Sequence, residues 1–139
     1  MIVCHTGKKH YRTEIDARGH QLIVDEPPTA GGADEGPNPY DLLAAALGAC
    51  TGITLRMYAD RKGWPLEAVV VSLQHRKLHA ADCQECPDVE GKLDVIDREI
   101  VLQGDLSPQQ RQRLMEIADQ CPVHKTLNEK VFIRTTNKP

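Results

Sequence analysis

Cys4, Cys50, Cys83, Cys86 and Cys121 hold most of the nucleophilic chemistry open to this chain. The thiolate, not the thiol, attacks electrophiles and binds metals, so the setting of each sulfur decides its use. Cys50 lies inside an uncharged run from Leu42 to Leu55, with Ala46, Leu47, Ile53 and Thr54 about one helical turn away. Burial of that kind raises a thiol's pKa, and Cys50 then reads as a small core hydrophobe unless a cation reaches it. Cys121 is different: Pro122 follows it, then His124 and Lys125, a polar and cationic setting suited to a reactive thiol. Cys83 and Cys86 form a CxxC inside the polar stretch from Arg76 to Asp94. Such a pair is usually redox-active at the helix start of a βαβ unit, which is lacking here. With His75 and His79 it spells His-x3-His-x3-Cys-x2-Cys, open to three readings: a zinc site, a second redox pair, or an incidental loop.

The element that must position Cys50 is a long helix. Asn38 is a good N-cap, Pro39 fits the first helical position, and Asp41 adds negative charge to the first turn. Gly63 and Pro65 supply the stop, roughly 24 residues later, long for a globular helix. A helix apolar round most of its circumference is buried on several sides. Upstream, Lys8 to Ala17 alternates polar and apolar as a half-buried strand, Arg18-Gly19 reads as a tight turn, and Gln21 to Asp25 returns as its antiparallel partner. Met1 to His5 reads as a further strand. Glu26 to Pro37 is a loop punctuated by Pro27-Pro28, Gly31-Gly32 and Gly36-Pro37, a surface connector or a cover for the thiol.

Downstream, Glu67 to Gln74 and Val95 to Gly104 read as strands. Ser107, Pro108 and Gln110 have the residues of a capping box, starting a helix expected to end near Cys121-Pro122. Glu129 to Thr136 reads as a closing strand through Val131, Phe132 and Ile133. The order implies an α+β fold in one domain, residues 1–139, with a largely antiparallel sheet and a long central buried helix. One small sheet covers one side of that helix, and the spare apolar surface implies a second copy of the chain.

The 139 residues suffice for one cored domain. A net charge of −3 gives no ground for a nucleic-acid or anionic-membrane partner, and five aromatic residues make no base-stacking platform. The start of the sequence lacks the pattern of a signal peptide, and the 14 uncharged residues of the long helix fall short of the ~20 that span a bilayer. The expected location is the cytosol, where an odd cysteine count favours reactive thiols or metal ligands over a disulfide framework.

Three segments together resemble the OsmC/Ohr family: Asn38 to Thr51, Leu55 to Ala59, and Cys121 to Leu127. The resemblance extends from about Tyr11 to Thr136. It implies an intertwined homodimer with active sites at the subunit interface and thiol-dependent reduction of organic hydroperoxides, with no cofactor. Residue by residue it makes Cys50 the peroxidatic cysteine and Cys121 the resolving one, with an external dithiol as reductant. Well-characterised peroxidase branches have Glu where this chain has Tyr40, its carboxylate following at Asp41, which places it nearer the general OsmC-like branch. Those branches also hold the thiolate with an arginine of the N-terminal hairpin, for which Arg18 is the candidate, with Arg12 behind it. The alternative function on the same fold is non-catalytic, an apolar-ligand-binding or redox-sensing protein in which Cys50 is a packing residue.

Overall fold

Asp16, Arg18 and Gly19 decide how the first strands join. Arg18 and Gly19 both have positive φ, 59° and 90°, as the tight turn of a two-residue hairpin requires. Asp16 fixes the turn, accepting the Gly19 N–H at 3.1 Å and the Gln21 amide at 2.6 Å. The result is β2 (Thr13–Ala17) paired antiparallel with β3 (His20–Val24), while β1 (Ile2–Thr6) flanks β2 with Cys4 opposite Ile15. This three-stranded sheet belongs to the first of two units, Met1–Ala44 and Ala45–Pro139, in a computed structural model that describes residues 1–86 and 90–138.

The loop after β3 is organised by one carboxylate. Asp25 is buried and accepts the N–H groups of Glu26, Ala33 and Glu35 at 2.8, 3.1 and 3.2 Å. Gly32 is required where this loop folds on itself, because a Cβ there would stand 1.8 Å from the Glu26 carbonyl oxygen. Burial raises the Asp25 pKa, but the three N–H donors outweigh it and hold the carboxyl below its ordinary value.

Helix α1 spans Pro39–Lys62, as its signals require. Asp41 N–H donates to Asn38 Oδ1 and Asn38 N–H to Asp41 Oδ2, both at 2.9 Å, so the Asp41 carboxylate closes the cap. In the second unit, β4 (Ala68–His79) and β5 (Lys92–Gln103) form a twelve-pair antiparallel hairpin, from Ala68 opposite Gln103 to His79 opposite Lys92. Both run well into the stretch read from sequence as a polar loop, because cross-strand ion pairs such as Arg76–Asp97 and Lys77–Asp94 sustain the ladder. Gly48 lets α1 approach the hairpin closely, since a Cβ there would stand 2.6 Å from Leu73 Cδ1. The core joins Leu55 and Ala59 of α1 with Leu66, Leu106 and, from α2 (Pro108–Ala118), Leu114, Ile117 and Ala118. Ser107 and Gln110 form the expected capping box.

Four expectations need correction. Antiparallel pairing is present, but in two sheets rather than one. Within this chain α1 is buried along a single stripe, Leu47, Thr51, Leu55 and Ala59, one residue per turn, while Ile53 and Met57 are exposed. The helix expected to reach Cys121 ends at Ala118, and a separate helix, α3 (Pro122–Asn128), follows. Residues 130–138 form no strand, because a strand needs an edge to pair with and none is engaged among the described residues. Val131, Phe132 and Ile133 are left exposed. By length and composition α1 also passes for a membrane span, its best 18-residue window having a mean hydropathy of 1.4. Its buried stripe within the second unit is that of a helix packed in a protein core.

Truncating Leu114 to Ala removes a wholly buried side chain, and chemical denaturation should show a loss of about 2–5 kcal/mol. Asp25 gives a pH signature. A carboxyl with a depressed folded pKa contributes fully above its unfolded value of about 3.9 and loses that contribution as pH falls through the folded value. Asp25→Asn should therefore melt at lower temperature than the native protein at pH 7, with the gap closing at low pH; a gap independent of pH would contradict this.

Candidate thiol site

Three elements of the second unit meet at the two principal thiols. α1 supplies Cys50, Thr51 and Thr54; the corner between α2 and α3 supplies Asp119 and Cys121; β5 supplies Arg98. Cys121 is the N-cap of α3, not the tail of α2: Pro122 takes the first helical position, and Cys121 Sγ accepts the His124 N–H at 3.5 Å. Cys50 is half-buried and Cys121 wholly buried, and the two thiols lie near enough to shift each other's ionisation.

The two sulfurs are tuned apart. Burial raises Cys50, and the neighbouring Cys121 raises it further, against weaker opposing contacts from the Val123 N–H and Thr54. Burial also opposes ionisation of Cys121. There it is outweighed by hydrogen bonds from Cys50, the His124 and Val123 N–H groups and the Thr51 hydroxyl, which draw Cys121 below the ordinary thiol value.

Arg98 is the cation of this site. Its Nη2 donates to Asp119 Oδ1 at 2.7 Å, and its Nη1 donates inward to Thr51 Oγ1 at 3.0 Å and to the Ala118 carbonyl at 3.4 Å. Its side chain is 13% exposed. His124 Nδ1 stands 3.7 Å from the same Asp119 oxygen. Sequence reasoning passed over Arg98, although a signal was present: it falls on the inward phase of β5, in step with Ile96, Ile100 and Leu102. A cation on the apolar phase of a strand has to find a buried partner.

The other candidates are placed as follows. Arg18 occupies the β2–β3 turn and Asp41 the α1 cap, both in the first unit. Arg12 pairs with Glu14 and, at 2.9 Å, with Glu35 in the same unit. Cys83 and Cys86 are joined in a disulfide near the tip of the β4–β5 hairpin, just past the short turn Ala80–Asp82. His75 Nε2 is 2.8 Å from Asp94 Oδ1. The possible zinc set His75, His79, Cys83 and Cys86 is thus not assembled, and no group of three or more His, Cys, Asp or Glu is arranged to hold a metal ion among the described residues. Cys4 is exposed on β1.

Chemically, two neighbouring free thiols are the reactants that a two-electron oxidation to a disulfide requires. Comparison with solved structures places the fold. An OsmC like protein from Mycoplasma pneumoniae aligns with a TM-score of 0.71 at 16% identity, over 92% of this chain and 86% of that one. An organic hydroperoxide resistance protein OsmC from Legionella pneumophila aligns at 0.66 and 21%, over 91% and 87%. A protein of Psychrobacter arcticus 273-4, provisionally named for osmotic stress induction and detoxification response, aligns at 0.72 and 20%, over 90% and 85%. No protein of curated function matches the sequence. The family of OsmC-like proteins matches residues 31–136, which include both Cys50 and Cys121 and most of the chain. On that match, this chain belongs to the OsmC-like protein family.

Proposed function

We propose that the protein is a thiol-dependent peroxidase that reduces organic hydroperoxides in the cytosol through Cys50 and Cys121. The observation that carries this is the neighbouring pair of free thiols, Cys50 half-buried and Cys121 buried, each shifting the other's ionisation. The two thiols titrate as a coupled pair, and the reacting form has lost one proton, with Cys50 as thiolate and Cys121 as thiol. Cys50 attacks the distal peroxide oxygen, the O–O bond breaks, and Cys50 becomes a sulfenic acid while the alkoxide takes up a proton and departs as the alcohol. Cys121 then displaces the sulfenic oxygen, which leaves as water, and the disulfide forms. An external dithiol returns two electrons and two protons. The name of the Legionella relative, an organic hydroperoxide resistance protein, supports the substrate class.

Two apolar surfaces support a homodimer. Ile53 and Met57, the latter 67% exposed, line a groove of about 300 Å3 with Gly52, Arg56, Glu67, Ala68 and Val69. Val131, Phe132 and Ile133 stand out from the chain, Phe132 at 82% exposure. A second copy covering these surfaces would also give 130–138 an edge to pair with. Analytical ultracentrifugation should find a dimer of the native protein. Phe132→Ser with Ile133→Ser should shift it toward monomer, and a native monomer at tens of micromolar would contradict the assembly.

The alternative, a binding protein without catalysis, draws on the raised Cys50 thiol and the apolar groove. Peroxide chemistry separates the two. Titrating the reduced protein with an organic hydroperoxide, followed by non-reducing peptide mapping, should give a Cys50–Cys121 linkage. Cys50→Ser should abolish peroxide consumption, and Cys121→Ser should leave Cys50 prone to sulfinic acid formation. Free thiols at both positions after excess peroxide would favour binding.

A further inference from the structure

We propose that the Cys83–Cys86 disulfide, near the tip of the β4–β5 hairpin, is a second redox site, at which an external dithiol exchanges two electrons independently of Cys50 and Cys121. Its reactant is a dithiol rather than a single thiol. The site stands apart from the peroxidase chemistry and does not depend on it.

A disulfide serves as a staple or as a redox group, and the geometry here disfavours the staple. Cys83 and Cys86 are three residues apart in sequence, with Cα atoms 5.4 Å apart. The chain entropy that a cross-link removes falls with loop length, so a ring this short constrains the unfolded chain least. Both cysteines lie in the segment that connects the strands, so their bond does not tie β4 to β5. The base of that segment is closed without it. The Ala80 N–H donates to the Gly91 carbonyl at 2.9 Å, just beyond the last ladder pair, His79 with Lys92. Further down, Asp94 of β5 pairs with Lys77 Nζ at 3.0 Å and stands 2.8 Å from His75 Nε2. Opening the disulfide therefore leaves the hairpin paired. Cys83 and Cys86 are both partly exposed, within reach of a reactant from solvent.

The pair is also out of reach of the thiol site in its own chain. Arg98, which donates to Thr51 next to Cys50, is opposite Leu73, and from Leu73 the ladder runs on to His79. At ~3.4 Å per residue that stretch is about 20 Å long, against the ~6 Å between Cα atoms that a disulfide spans. A relay between the two pairs within one chain would have to unpair the hairpin. The exchange is then with a molecule outside. A thiolate of that molecule attacks one sulfur of the pair, and the Cys83–Cys86 bond breaks. Its electron pair goes to the other cysteine, which takes up a proton, and a mixed disulfide forms. The freed cysteine, three residues away, has a high effective concentration and can attack back, expelling the incoming thiol. A single thiol such as glutathione loses that contest. A dithiol brings its own second thiol, which attacks the reductant's sulfur, frees both cysteines as thiols and departs as a disulfide. Asp82 and Glu85, exposed and next to the cysteines, add repulsion against an anionic thiol such as glutathione.

The test is a redox titration of the full chain with Cys4→Ser, Cys50→Ser and Cys121→Ser, so that only Cys83 and Cys86 remain. The folded protein is equilibrated with mixtures of reduced and oxidised dithiothreitol and quenched in acid, and its free thiols are counted by alkylation and intact mass. The pair should pass reversibly between two thiols and none in one two-electron transition. A tenfold change in the dithiothreitol ratio should then change the protein's own ratio about tenfold, with no change in far-UV circular dichroism. Glutathione at the same thiol concentration should open the pair at least about tenfold more slowly. Peptide mapping of the native chain should give the same midpoint for Cys83 and Cys86, and that mapping decides if the triple substitution does not fold. A pair that dithiothreitol reduces only in denaturant, or thiols that stay free in oxidised dithiothreitol, would overturn the proposal. So would a midpoint that differs when Cys50 and Cys121 are present, or glutathione opening the pair as fast as dithiothreitol. No hydroperoxide enters this measurement, so its failure is separable from failure of the peroxidase reading.

Discussion

The C-terminal unit turns on setting two free thiols, Cys50 and Cys121, where each shifts the other's ionisation. Burying two thiols side by side costs little while both are neutral, because a thiol behaves as a small hydrophobe. Any chemistry at the pair requires a negative charge in the same place, and that is expensive unless donors stand ready. The unit gathers polar groups there from three elements: the His124 N–H of α3 donates to Cys121 Sγ at 3.5 Å, and Arg98 of β5 donates to the Thr51 hydroxyl of α1 at 3.0 Å. Each donor belongs to a different element, so the site exists only when the hairpin, α1 and the α2–α3 corner are packed together.

That arrangement divides the work between the sulfurs. Cys50 is the half to which a reactant has access, yet its own surroundings resist ionisation. Cys121 has the charge-stabilising contacts but no access. Because the two thiols titrate as a coupled pair, access at one sulfur and stabilising contacts at the other act together. An apolar setting for Cys50 is then compatible with reactivity.

Much of this was legible in the sequence. The cap at Asn38, the Arg18-Gly19 turn and the Ser107–Gln110 capping box are local signals, set by hydrogen bonds within a few residues, and each is found as read. The family resemblance paired Cys50 with Cys121, and both belong to the second unit, where each shifts the other's ionisation. What escaped was non-local. The ends of β4 and β5 depend on cross-strand ion pairs that the linear order does not display. Cys121 was read as a helix end although Pro122 marks it equally well as a helix start. Arg98 was hidden in a strand whose alternation draws the eye to its apolar residues. The apolar pattern of Val131 to Ile133 encodes a preference for extended structure but not the edge to which it would pair.

The most direct test of the central claim is the stoichiometry of the first turnover. In a Cys4→Ser, Cys83→Ser, Cys86→Ser protein, fully reduced and mixed with one equivalent of cumene hydroperoxide, only Cys50 and Cys121 remain to react. The account predicts that two thiols disappear and one equivalent of alcohol forms, with dithiothreitol restoring both thiols. A protein that retains both thiols while the hydroperoxide persists would contradict it.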